Sequence, residues 1–96
     1  MKHEEIIQEL HGLARQLGVT IRYDKGDFQG GYCILKDEKI LLVNTRLHPQ
    51  RKASVLALGI QEIGLDNVFV KPVVRGFIED EVAKILREAG HVNEGS

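Results

Sequence analysis

Between Tyr32 and Asn44 the chain carries two strand-length segments that are apolar on both faces, and this limits the fold more than any other feature. In Tyr32–Lys36, Tyr32 and Ile34 fall on one face and Cys33 and Leu35 on the other; in Lys39–Asn44, Leu41 and Val43 oppose Ile40 and Leu42. A strand apolar on both faces needs cover on both. The segments meet at Asp37-Glu38, which lacks the Asn-Gly or Asp-Gly pair of the tightest hairpins, so a four-residue loop is expected. A helix follows, opened by Pro49, whose missing N–H costs nothing in a first turn, and closed by Gly64 with Leu65 placed for the apolar contact after such a cap. It contains Val55-Leu56-Ala57-Leu58-Gly59-Ile60, six apolar residues in a row. A helix apolar nearly all round is a buried or interface helix.

Around this centre the remaining elements are amphipathic. Glu4–Gly18 reads as a helix with Ile6, Leu10, Leu13, Ala14 and Leu17 on its buried stripe, stopped by Gly18. Val19, Ile21 and Tyr23 alternate with Thr20, Arg22 and Asp24, the pattern of a strand with one solvated face. Lys25–Gly31 holds Gly26, Gly30 and Gly31 without periodicity and reads as a mobile loop. Val68-Phe69-Val70 reads as either a short strand or an extended connection. Pro72 opens a last helix running to about Ala89, with Val74, Phe77 or Ile78, Val82, Ile85 and Ala89 inward and Gly90 as its stop. Glu79, Asp80 and Glu81 precede Lys84 and Arg87, which suits i,i+4 pairing and the helix dipole.

The predicted fold is thus a single α+β domain over 1–90: helix, three-stranded antiparallel sheet, two helices, with 91–96 as a flexible tail. At 96 residues the chain suits one small domain. A net charge of −1 gives no global attraction to nucleic acid or to an acidic membrane. No apolar run approaches a membrane span. The single cysteine excludes an internal disulfide, and the polar opening Met1–Glu9 is unlike a signal peptide. Both point to a cytoplasmic protein.

Candidate chemistry is sparse. His3 and His11 lie eight residues apart, roughly 80° around a helix, a poor chelating pair. His48 stands at a helix entrance, where it caps or is solvated, and His91 is in the tail. No HExxH or CxxC spacing occurs. Cys33, mid-strand among apolar residues, reads as a buried inert thiol. The glycine cluster connects strands and opens no helix, so it is no phosphate loop. Ser54 and Thr45 have no context marking an activated nucleophile. Gln61 and Glu62 end the apolar helix, with Glu62 expected to be exposed. Arg46, His48, Arg51 and Lys52 form the densest basic cluster, with Lys71 and Arg75 expected nearby. Cations in a first helical turn oppose the dipole, which hints at an anion or an acidic partner.

Gly30-Gly31-Tyr32, then Lys39–Asn44, then Arg51–Ile63, resemble the small bacterial ImmA/IrrE metallopeptidase-like domain, over roughly Ile6–Gly64. In that family an N-terminal helix and a three-stranded sheet precede the helix bearing the HExxH zinc motif. Leu56-Ala57 corresponds to its apolar Leu-Ala pair. The resemblance would put the zinc histidines at Leu58 and Glu62 and the catalytic Glu at Gly59. Leu58 and Gly59 supply neither ligand nor base, so the resemblance implies the fold without the activity.

The sequence therefore points to a non-catalytic module with no cofactor, metal or catalytic residue. Its excess apolar surface predicts a homodimer or a protein partner, through the sheet face at Ile40 and Leu42 or the helix face at Val55 and Leu58. The alternative is a regulator that binds nucleic acid or an acidic partner through Arg46, Arg51, Lys52 and Arg75; a degenerate metallopeptidase-like enzyme comes third.

Overall fold

A computed structural model describes residues 1–94, and side-chain surroundings as far as Glu88. The elements are α1 (His3–Gln16), β1 (Thr20–Asp24), β2 (Gly30–Leu35), β3 (Glu38–Asn44), α2 (Pro49–Ile63) and α3 (Pro72–Glu94). This is the expected order, and 68–70 forms no strand but a connection that bends at Val68. α3 runs through Gly90 to Glu94. Glycine weakens a helix by about 1 kcal/mol without ending it, so the expected stop and part of the expected tail are helical instead. His91 lies outside the residues whose side chains are described.

The sheet is mixed, which corrects the antiparallel expectation. Its order is β1-β3-β2, with β1 parallel to β3 and β2 antiparallel to it. β3 has the strongest apolar character on both faces and so takes the central place, leaving β1 and β2 as edges. The β2–β3 hairpin is also tighter than its sequence suggests. Leu35 pairs with Glu38, and the two residues between them, Lys36 and Asp37, both have positive φ (51° and 67°). That is the two-residue turn matched to strand twist, made here without glycine.

α1 begins with the Lys2 backbone N–H donating to Glu5 Oε1 at 3.2 Å. It ends in a double-bonded cap. Gly18, at φ 73°, donates to Arg15 O, and Val19 N–H donates to Ala14 O at 2.8 Å. The Gly26–Gln29 segment is pinned rather than loose. Asn44, only 5% exposed, donates through Nδ2 to Gly26 O (2.7 Å) and Phe28 O (2.6 Å), and its Oδ1 accepts from Arg46 N–H at 3.0 Å.

The helices lie on one side of the sheet. α1 and α2 rest on the strands, while α3, among the described residues, packs on α1 and α2 and reaches no strand. The core joins Leu10, Leu13 and Ala14 of α1, Leu41 and Val43 of β3, Ala53, Leu56, Ala57 and Ile60 of α2, and Val74 and Ile78 of α3. α2 approaches β3 at Gly59, where an added Cβ would overlap Leu41 Cδ2. The other sheet face has no helical cover. Ile40 and Leu42 stand apart from the main core on that side. Ile40 is still buried, between its register partners Thr20 and Cys33.

Candidate functional site

The most chemically loaded place is a groove of about 370 Å³ between α2 and α3, opening beside Gln29. Its walls carry Gln50, Arg51, Ser54, Val55 and Leu58 from α2 and Glu81, Lys84, Ile85 and Glu88 from α3. Ser54 and Leu58 are one turn apart on α2, as are Glu81 and Lys84 on α3, so the antiparallel helices set these side chains face to face.

Glu81 organises the groove. It is 6% exposed, an expensive position for a charge unless it is paired. Lys84 Nζ lies 2.8 Å from Oε2, and the Ser54 hydroxyl reaches Oε1. Gln50 O is also 3.1 Å from Ser54 Oγ, but a hydroxyl has one proton and the carboxylate is the stronger acceptor. Burial pushes the Glu81 pKa up. The hydrogen bonds from Lys84 and Ser54 and the charges of Lys84 and His3 more than reverse this, holding it below the ordinary carboxylate value. An ionised carboxylate with both oxygens engaged is a weak base. Ser54 therefore gains no activation from it, and the trio clasps α2 to α3. The sequence marks Glu81 only as one of three consecutive acids.

The expected site residues are dispersed. Val55 and Leu58 are half-buried in the α2–α3 groove, whereas Ile40 and Leu42 lie on the open sheet face. These are two separate surfaces. Arg51 also lines the groove, while Lys52 turns toward β1, its Nζ 6.0 Å from the Tyr23 ring centroid. Arg46 is exposed in the β3–α2 loop. Arg75 borders a different hollow with Gln61, Leu65 and Leu86, near the far end of α2. The basic residues therefore do not form one patch.

Cys33 is exposed, contrary to the buried thiol expected, because β2 is an edge strand and its face is uncovered. It borders a shallow hollow with Phe28, Gly31, Tyr32 and Leu42. His48 occupies the N-cap position of α2 without a side-chain cap bond, and Glu62 is exposed near the other end of that helix. The hollow that Cys33 borders includes neither His48 nor Glu62. His3 packs edge-on to Phe77, with ring centroids 6.2 Å apart. His11 Nε2 meets the Tyr23 hydroxyl at 2.6 Å, a pairing that no spacing rule marks because twelve residues separate them.

Among the described residues, no three His, Cys, Asp or Glu side chains come together to hold a metal. The positions that would carry zinc chemistry by resemblance do not fit a metal. Leu58 is aliphatic, Glu62 points to solvent, and Gly59 is sealed against Leu41 with no room for a side chain. No helix among the described residues is long and apolar enough to cross a membrane. No family model, curated protein or solved structure matches this chain.

Proposed function

We propose that the protein is a non-catalytic interaction module that pairs with a second copy of itself along β2. The observation that carries this reading is the state of that edge. Gly30–Leu35 contains no charged residue, and Cys33, Ile34 and Leu35 are all exposed, Ile34 at 63% and Leu35 at 54%. No backbone bond outside the β2–β3 ladder reaches these residues among the described ones. An uncharged apolar edge is an open template for another strand. The opposite edge, β1, carries Arg22 and Asp24 3.8 Å apart, charges that discourage such pairing.

A second copy suits β2 because the strand is self-complementary. Antiparallel pairing about a two-fold axis brings the same residues together from both sides, and the uncharged strand meets no like charge. The resulting sheet is continuous, β1-β3-β2-β2-β3-β1, with Ile40, Leu42 and Leu35 along its uncovered face. Val55 and Leu58 flank the seam, since their groove opens at Gln29 just before β2. A six-residue seam is about 20 Å long, shorter than a standard interface, so the dimer is expected to exchange in the micromolar range. The kinship suggested by the ImmA/IrrE-like element order belongs to the same reading, as a shared scaffold in which Leu58 and Gly59 pack where a zinc ligand and the catalytic base would stand.

Sedimentation across about 1–100 µM tests this. The wild type should shift from monomer to dimer, and Ile34→Lys, exposed and so tolerated by the monomer, should remain monomeric throughout. A wild type that stays monomeric, or an Ile34→Lys variant that dimerises equally well, sinks the proposal.

A further inference from the structure

The cleft between α1 and β1 gathers polar groups that neither the α2–α3 clasp nor the β2 edge uses. It measures about 260 Å³ and is walled by His11 and Arg15, one turn apart on α1, and by Val19, Ile21 and Tyr23 along the strand side. Tyr23 is held by His11 at 2.6 Å, and Lys52 of α2, which is not part of the cleft wall, stands over the same ring with Nζ 6.0 Å from its centroid. Burial pushes the Tyr23 pKa up, so its hydroxyl keeps its proton and donates. Burial, then the charge of Arg15, push His11 down, so its Nε2 accepts as a neutral imidazole.

The charge balance of the cleft departs from that of the chain. Asp and Glu outnumber Lys and Arg by 14 to 13 in the sequence, yet no carboxylate lines this cleft. Asp24, the nearest acid on β1, alternates to the other face and sits with Arg22. Arg15 and Lys52 form no ion pair among the described residues. Two cations without an ion pair among the described residues, Arg15 on the cleft wall and Lys52 over the Tyr23 ring, therefore stand near the hydroxyl donor, beside Ile21 and the edge of the largely buried Val19. A phosphoryl group matches this set: it is dianionic, presents several acceptor oxygens, and suits a guanidinium fork, an ammonium and a hydroxyl at once.

We propose that the cleft between α1 and β1 binds a phosphate monoester, with the phosphoryl oxygens held by Arg15, Lys52 and Tyr23 and the organic group resting on Val19 and Ile21. When the dianion enters, the Tyr23 hydroxyl turns to it and frees His11 Nε2. The added negative charge offsets that of Arg15, so His11 takes up a proton and becomes a further donor. Binding is thereby coupled to proton uptake at His11.

The test follows the His11 ring by NMR, its resonances assigned with His11→Gln, while inorganic phosphate or phenyl phosphate is added at pH 7 with ionic strength fixed by chloride. Both should shift the ring resonances saturably and move the His11 titration midpoint upward. Phenyl phosphate should bind about tenfold more tightly because its ring buries against Val19 and Ile21. Arg15→Gln, Lys52→Gln and Tyr23→Phe should each weaken binding at least several-fold while leaving the amide spectrum of the fold intact. No saturable shift, or one that the Arg15 and Lys52 substitutions leave unchanged, overturns the site. Equal affinity for the two probes overturns the ester assignment.

Discussion

Glu81 follows Glu79 and Asp80 in the sequence, and only the third of these acids is turned inward. Its folded pKa lies below the ordinary carboxylate value, so the stabilisation it gives is present above the unfolded-state pKa and lost as pH falls through the lowered folded value. Ser54 is one source of that lowering. Ser54→Ala should therefore cost about 1.5–3 kcal/mol near neutral pH, the range for a hydrogen bond to a charged group. The difference from wild type should shrink once Glu81 is protonated. Urea unfolding at pH 7 and again near pH 3 checks both parts. An equal cost at both pH values would show that Ser54 acts through Gln50 O or through packing rather than through the carboxylate. The i,i+3 link from Glu81 to Lys84 was legible as part of a general acid-then-base pattern along the helix. Which acid is buried was not, because that depends on how α3 rolls against α2, a long-range fact that helix periodicity does not encode.

The contact between α2 and β3 shows why one glycine interrupts an otherwise apolar helical run. Gly59 is buried, and the Leu41 side chain occupies the space a Cβ would need. Leu41 is itself fully buried, so it has little room to yield. Gly59→Ala gains helix propensity, about 1 kcal/mol, but overpacks the contact, which typically costs about 1–3 kcal/mol. The net should be destabilising. It should also couple to Leu41: Leu41→Ala alone opens a cavity, and in the double variant the new methyl fills part of it. Denaturant unfolding of the four proteins in this cycle should show a stabilising interaction, and strict additivity would count against the close approach as the reason for the glycine. At this scale the elements themselves were readable from periodicity, from Gly18 and from the prolines that open α2 and α3. Strand order was not. Both faces of β3 read as apolar in the sequence, but nothing local says that β1 pairs with β3 in parallel and leaves β2 outside. The exposure of Cys33 follows from that order, as does the meeting of His11 with Tyr23, so both escaped the sequence.

For the molecule as a whole, the question is where the uncovered apolar surface goes. All three helices occupy one side, and the exposed apolar side chains fall along β2, at Ile34 and Leu35, at Phe69 just before α3, and on α3 itself, where Val73, Ile85 and Leu86 are exposed. A dimer formed through β2 and one formed through α3 would sediment alike, so mass alone does not separate them. Cys33 does, because it is the only cysteine and is exposed on the strand in question. Two-fold antiparallel pairing keeps opposite residues on the same face, so it sets each Cys33 opposite Cys33 or Gly31 of the other copy, which brings the two Cys33 Cα atoms to within about 9 Å. A nitroxide attached there should give strong dipolar broadening at dimer-forming concentrations. The broadening should disappear when labelled protein is diluted with unlabelled protein at constant total concentration, and in Ile34→Lys. A dimer joined through α3 would hold the labels on the far sides of two helical layers, more than about 20 Å apart, and its spectrum would stay sharp. A sharp spectrum in a sample that sediments as a dimer would therefore move the interface to α3 and leave β2 as an edge that something other than self-pairing must protect.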